Sequence, residues 1–292
     1  MFENTATWQI VEWQPTVYGK KKDIPIECLV GSNALTSKTD PVHLYTGYGE
    51  EKLAISSAIK MLDDLERPAI GVRLPDSFSR DRATLEMTAI EAPRAVAQWF
   101  NERLGKATED PVDVIGHSKG AGALLMAGVH APEQYGVMGL IGPIGITNKY
   151  LGETERQRIK NYFLRIAVLN TLTPDHSPIT DPTNILSFYE FAINIAKDIK
   201  NGVIKTKLDL AFSLDLANNV ASLAKDHAIR LFLGEDDKLF TTDEYKDCLG
   251  KDVFENNTVI IPGSHSAMIS RMGRRQLHIA SDWRESVRTE AV

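Results

Sequence analysis

Asp113-Val114-Ile115-Gly116-His117-Ser118-Lys119-Gly120-Ala121-Gly122 is the stretch on which the fold turns. Before it, Pro111 to Ile115 reads as an apolar β-strand; after it, Ala121-Gly122-Ala123-Leu124-Leu125-Met126-Ala127 reads as a helix of small and apolar residues. Strand, Gly-x-Ser-x-Gly, helix is the layout of a nucleophile elbow. The serine sits on a sharp strand-to-helix turn, so its hydroxyl projects above the sheet. Glycine flanks it because a turn that tight leaves no room for side chains against the strand and the helix. The pattern alone is weak, since Gly and Ser are common. Its flanks give it weight over the plainer reading, an ordinary βα turn that needs a small residue.

The pattern around the elbow extends this reading. Thr7 to Val17 and Ile24 to Val30 are apolar or alternating runs around a Gly/Lys turn, as in a β-hairpin. Val42 to Tyr45 and Ala69 to Leu74 read as strands. Glu50 to Leu65 has helical spacing, and Thr84 to Leu104 reads as a helix that Pro93 either kinks or divides. Tyr135 to Gly142 is a further buried strand. Strands alternating with helices predict an α/β fold, a mostly parallel sheet covered by helices. From Thr147 to about Lys225 the strands stop. Helical patterns cover Thr154 to Leu172, Asn184 to Lys200 and Lys207 to Leu223, with a loop from Thr173 to Pro182. Strands resume at Ala228 to Leu233 and Asn257 to Ile261, and a helix from Ser266 to about Val287 closes the chain. The later strands read as missing members of the same sheet. The expected organisation is therefore a core over 1–146 and 226–292, interrupted by a helical block over 147–225.

A serine hydroxyl is a poor nucleophile at neutral pH and needs a base to take its proton. Histidine is the natural base, and a carboxylate fixes its tautomer and stabilises the imidazolium. Both should stand just after strands that reach the same sheet edge. Ile229 to Leu233 is followed by Gly234-Glu235-Asp236-Asp237, and Thr258 to Ile261 by Pro262-Gly263-Ser264-His265. The order Ser, Asp, His, with room for one helix and one strand between acid and base, is that of an α/β-hydrolase.

On these three motifs the chain resembles the capped serine esterases and lipases of the α/β-hydrolase superfamily, over about Ile24 to Val287 with the helical block as the variable cap. The resemblance implies Ser118 as nucleophile, His265 as base and Asp237, fourth in Gly-x-x-Asp, as acid; Asp236 is the rival for that last role. It also implies an oxyanion hole made by the backbone N–H of Lys119 and of Tyr48. Tyr48 lies in Thr46-Gly47-Tyr48-Gly49, where the family often has His-Gly-x-Gly and this chain has Thr46 in place of the His. Lys119 is unusual after the serine; its side chain either runs away along the helix or favours an anionic substrate. Family members that process halides and epoxides use an aspartate nucleophile, so the serine disfavours both. Gly142-Pro143-Ile144-Gly145-Ile146 leaves the alternative acid position empty.

Of the seven histidines, His117 belongs to the elbow motif and is expected to pack structurally. His43 is expected in the core or at a sheet edge, and His176 falls in the loop of the helical block. The composition is that of an ordinary globular chain: 292 residues, 43% hydrophobic, 25% charged, net charge −6. The only basic block is Lys20-Lys21-Lys22, so nucleic acid is not an expected partner. Two cysteines, Cys28 and Cys248, give no zinc pattern. No apolar run is long enough to span a membrane, and no signal-peptide profile opens the chain. A cytoplasmic location follows by default, and a homodimer stays open. No P-loop or Gly-x-Gly-x-x-Gly follows the first strands, and acyl transfer through a serine needs neither metal nor organic cofactor. The expected activity is hydrolysis of carboxylic esters, the partner a small acyl substrate. Thioesterase, acyltransferase, lactonase and carbon–carbon bond hydrolase chemistry remain alternatives, as does a non-catalytic ligand-binding role.

Overall fold

The computed structural model describes residues 6–17, 20–21, 23–47, 52–75, 81–172, 189, 192–193, 196–213, 215–265 and 270–290. Eight strands form one sheet: β1 (Thr7–Trp13), β2 (Ile24–Val30), β3 (Val42–Tyr45), β4 (Ala69–Arg73), β5 (Val112–His117), β6 (Tyr135–Ile141), β7 (Ala228–Gly234) and β8 (Thr258–Ile261). Their spatial order is β1-β2-β4-β3-β5-β6-β7-β8. β1 and β2 are antiparallel to each other, β2 is antiparallel to β4, and every later pairing is parallel. The expected hairpin is present, and Lys20 and Lys21 pair with Thr16 and Val17 in a short ladder at its tip.

Helices cover both faces. α1 (Lys52–Asp64) and the last helix, α9 (Arg271–Glu290), touch each other on one side; α2 (Arg82–Arg103) and α3 (Lys119–His130) touch on the other. Two apolar clusters result. Ile55, Ala58, Ile59 and Leu62 of α1 pack with Leu277 and Ala280 of α9, while Val96 and Phe100 of α2 pack with Leu124 and Leu125 of α3. A parallel sheet covered on both faces needs strands that are apolar throughout, and β5 is buried at all six positions. Each large aliphatic side chain so buried contributes about 1.5–3 kcal/mol relative to exposure.

β4 lies on one side of β3 and β5 on the other, so the chain reverses its direction of travel across the sheet at β3. The carboxyl ends of the strands at such a reversal form a crevice that suits a ligand. Ser118 follows β5 at that crevice.

The structure differs from the sequence-based expectation at several boundaries. α2 runs unbroken through Pro93, which is buried inside the helix. The helix expected over Lys207 to Leu223 is two helices, α5 (Ile204–Ser213) and α6 (Ala217–Leu223). The break is tertiary: the Leu216 amide donates to the Gly145 carbonyl at 2.9 Å, and Leu216 is buried. Between β6 and β7 the regular elements among the described residues are all helical: a short 3-10 turn at Asn148–Leu151, then α4 (Glu155–Leu172), helical residues at 196–201, α5 and α6. Most of the expected helix from Asn184 to Lys200 lies outside the described residues, as do the loop at Thr173 to Pro182 and His176. After β7 come α7 (Thr242–Leu249) and α8 (Lys251–Asn257). Among the described residues no helix is long and apolar enough to cross a membrane.

Two core groups carry charge or polarity. Asp113, at the start of β5, accepts from Arg284 Nε at 2.6 Å, Arg288 Nε at 2.5 Å and the Val137 amide at 3.0 Å. Burial pushes its carboxyl up, but the two guanidiniums and the amide outweigh burial and hold it below the usual range. His43 on β3 is wholly buried, edge-on to Phe100 at 5.5 Å, and among the described residues neither ring nitrogen has a hydrogen-bond partner. Burial is the main cause of its pKa falling from 6.5 to about 4; Asp113 opposes that shift and Arg284 adds to it.

Between those two pKa values the unfolded chain binds a proton that the folded chain does not. His43 therefore supports the fold above about pH 6.5, and that support is lost as pH falls toward 4. The expected loss is about 3 kcal/mol by pH 4. Urea unfolding at pH 7 and pH 4.5 checks this. His43→Leu should flatten the acid limb by about 2–3 kcal/mol, and an acid limb identical to wild type would remove His43 as its cause.

Candidate active site

The elbow is built by close approach. β5 ends at His117 and α3 begins at Lys119, leaving Ser118 as the single residue of the turn. Its φ is 50° and ψ −112°, a conformation that costs a non-glycine residue on the order of 1–3 kcal/mol. A Cβ on Gly116 would lie 2.6 Å from Ala121 Cα, and one on Gly120 would lie 2.5 Å from the Tyr45 carbonyl oxygen. Both glycines are thus required by contact. The second contact also seats the first turn of α3 on the end of β3. The Ser118 amide donates to the Ile141 carbonyl at 2.8 Å, which ties the turn to β6.

The structure brings Ser118, His265 and Asp237 together from three separate strand ends. His265 Nε2 lies 3.0 Å from Ser118 Oγ, and its Nδ1 lies 3.0 Å from Asp237 Oδ2. All three side chains are almost fully buried. The other oxygen of Asp237 accepts from the amides of Leu239 at 2.8 Å and Phe240 at 2.9 Å. An ionised carboxylate only accepts, so its contact with Nδ1 selects the tautomer with hydrogen on that nitrogen. The lone pair on Nε2 then faces the serine hydroxyl. Asp236 is exposed, and its amide donates to Gly263 O at 3.0 Å; its carboxylate is not part of this chain of contacts.

Lys119 opens α3, whose first-turn N–H groups have no acceptor within the helix and whose dipole presents its positive end there. Tyr48, the other expected oxyanion donor, lies outside the described residues. Thr46 and Gly47, which precede it, follow β3 directly beside the elbow.

Several residues that hold the site in place were not read from the sequence. Phe240 meets the His265 ring edge-on at 5.5 Å, and His117 lies over it at 5.2 Å with planes 35° apart. His117 thus packs as expected, but against the imidazole itself. Gly142, at φ 49°, passes so close that a Cβ there would sit 2.9 Å from both Cε1 and Nδ1 of His265. Arg165 of α4 reaches the loop that carries Asp237: Nη1 donates to the Leu239 carbonyl at 2.8 Å, and both Nη atoms hold Glu244 at 2.9 and 2.7 Å. Glu244 closes a capping box with Thr241 at the start of α7. The box is legible as Thr-x-x-Glu; the arginine looks like any helix-surface charge.

No protein-family model matches the chain, and no curated protein does. Solved structures do. A putative lipase from Acinetobacter baumannii AYE superposes with a TM-score of 0.64 at 14% identity, over 98% of this chain and 92% of that one. A probable hydrolytic enzyme from Pseudomonas aeruginosa PAO1 gives 0.63 at 17% identity, over 94% and 93%. A serine hydrolase involved in carbazole degradation gives 0.62 at 18% identity, over 95% and 98%. The chain has the α/β-hydrolase fold. Similarity at these identities extends to the fold and no further. Within this fold the strained strand-to-helix turn at Ser118 follows β5, with Asp237 after β7 and His265 after β8.

Proposed function

We propose that the protein is a serine hydrolase of carboxylic esters, with Ser118 as nucleophile, His265 as general base and acid, and Asp237 as the carboxylate that orients it. The observation that carries this reading is the relay of two 3.0 Å contacts from Asp237 through His265 to Ser118 Oγ. Ser118 Oγ attacks the acyl carbonyl while His265 Nε2 takes its proton. The oxyanion is held by the amides of Lys119 and Tyr48. The tetrahedral species collapses as His265 returns the proton to the leaving alcohol. Water then enters, His265 takes a proton from it, and hydroxide adds to the acyl-enzyme carbonyl. The carboxylic acid leaves and Ser118 is restored.

In this reading residues 1–146 and 226–292 form the catalytic core, and 147–225 is a cap that closes over the crevice. Arg165 supports that role, because it ties α4 to the loop that carries Asp237. Esters are favoured over a purely binding role because a strained, buried serine is placed within hydrogen-bond reach of an oriented imidazole. The test is turnover of p-nitrophenyl acetate and butyrate by the wild-type protein, with Ser118→Ala as control. Equal rates for the two proteins, or no turnover by wild type, would sink the reading.

A further inference from the structure

An open cleft lies beside the elbow. Its floor is one face of α3: Lys119, Gly122, Ala123 and Met126, spaced i, i+3, i+4 and i+7. Leu85 and Ala89 of α2 form one wall; Leu210 and Ala211 of α5 form another. Neither Ser118 nor His265 lines the cleft, but one end of it lies at the turn that carries Ser118. Lys119 is its chain neighbour, and Ile144, which also lines the cleft, donates its amide to the Ser118 carbonyl at 3.3 Å. The cation on the α5 wall is neutralised locally: Lys207 Nζ lies 2.9 Å from both carboxylate oxygens of Asp198, and both side chains are buried. Lys207 therefore offers its methylene stem to the cleft. Beyond Lys119 and Thr88 the rest of the lining is apolar, so the part of an occupant that lies along α3 past Lys119 is apolar.

The length is set by the helix. Seven residues from Lys119 to Met126, at 1.5 Å each, span about 10 Å. An extended alkyl chain advances roughly 1.25 Å per carbon, from a bond near 1.5 Å and a near-tetrahedral angle. We infer that this cleft takes the acyl chain of the substrate, and that the preferred acyl group is linear and about six to ten carbons long. Ala123 marks the middle of the cleft and Met126 its far end. The inference rests on Ser118 being the residue that is acylated.

The test is a series of p-nitrophenyl esters from acetate to palmitate, read as kcat/KM. Wild type should peak near octanoate. Ala123→Leu puts a branch about 6 Å along the floor, and the octanoate-to-acetate ratio should fall at least tenfold. Met126→Ala should move the optimum to decanoate or longer. Each comparison is a ratio within one variant, so the fraction that folds cancels. A fall of less than threefold in Ala123→Leu, or an optimum that Met126→Ala leaves in place, overturns the assignment. Turnover by wild type in that case leaves the role of Ser118 standing. If wild type turns over no ester and Ser118 takes up no acyl group, the functional reading fails with the inference.

Discussion

Replacing Ser118 by alanine is expected to lower kcat for ester hydrolysis by about 10⁴-fold or more, some 5.5 kcal/mol of transition-state stabilisation. In the proposed mechanism Oγ is the atom that forms the acyl bond, and no other hydroxyl in the Asp237–His265 relay can replace it. The fold should tolerate the change. Alanine keeps the Cβ and loses one buried hydroxyl, and the turn is held by the Ser118 amide bond to Ile141 and by the close packing at Gly116 and Gly120. The same φ of 50° applies to alanine as to serine, so the strain is carried over. Urea midpoints within a small margin of wild type, beside a collapsed kcat, are the expected pair of measurements.

The second large effect concerns the acid. Asp237→Asn should lower kcat by about 10⁴-fold, whereas Asp236→Asn should change it by less than about threefold, as an exposed charge outside the relay. The asymmetry has a structural cause. An asparagine at 237 can present its NH₂ group to Nδ1, which reverses the tautomer and turns Nε2 into a donor aimed at the serine oxygen. The serine proton then has no acceptor. Asp237 also holds the Leu239 and Phe240 amides through Oδ1, so the kinetic loss should be accompanied by some loss of stability. The reverse ranking of the two variants would move the acid to Asp236.

Much of this was legible before the structure, and the reasons differ by element. The elbow could be read because its requirements are local: two glycines forced by contact, an apolar strand before and a small-residue helix after. His265 could be read because it stands directly after a strand. Resemblance alone favours Asp237 over Asp236 in the sequence. One residue of register in a turn decides which side chain faces inward, and only the turn that bonds the Asp236 amide to Gly263 O separates the buried carboxylate from the exposed one. The split between α5 and α6 was not legible, since no Gly or Pro marks it; a contact with Gly145, distant in sequence, makes it. Pro93 is the opposite case: burial within α2 keeps intact a helix that the residue alone argues against. Gly142, Phe240 and Arg165 act through contacts with residues far along the chain, which no periodicity records.

The central claim, that Ser118 is an activated nucleophile, is tested most directly by labelling the folded protein with a fluorophosphonate probe and mapping the modified peptide. Ser118 should carry the label at one equivalent per chain, and His265→Ala should slow its uptake by several orders of magnitude, because the proton on Oγ then has no base. Label on a different residue, or Ser118 left unlabelled in the native protein, would contradict the account.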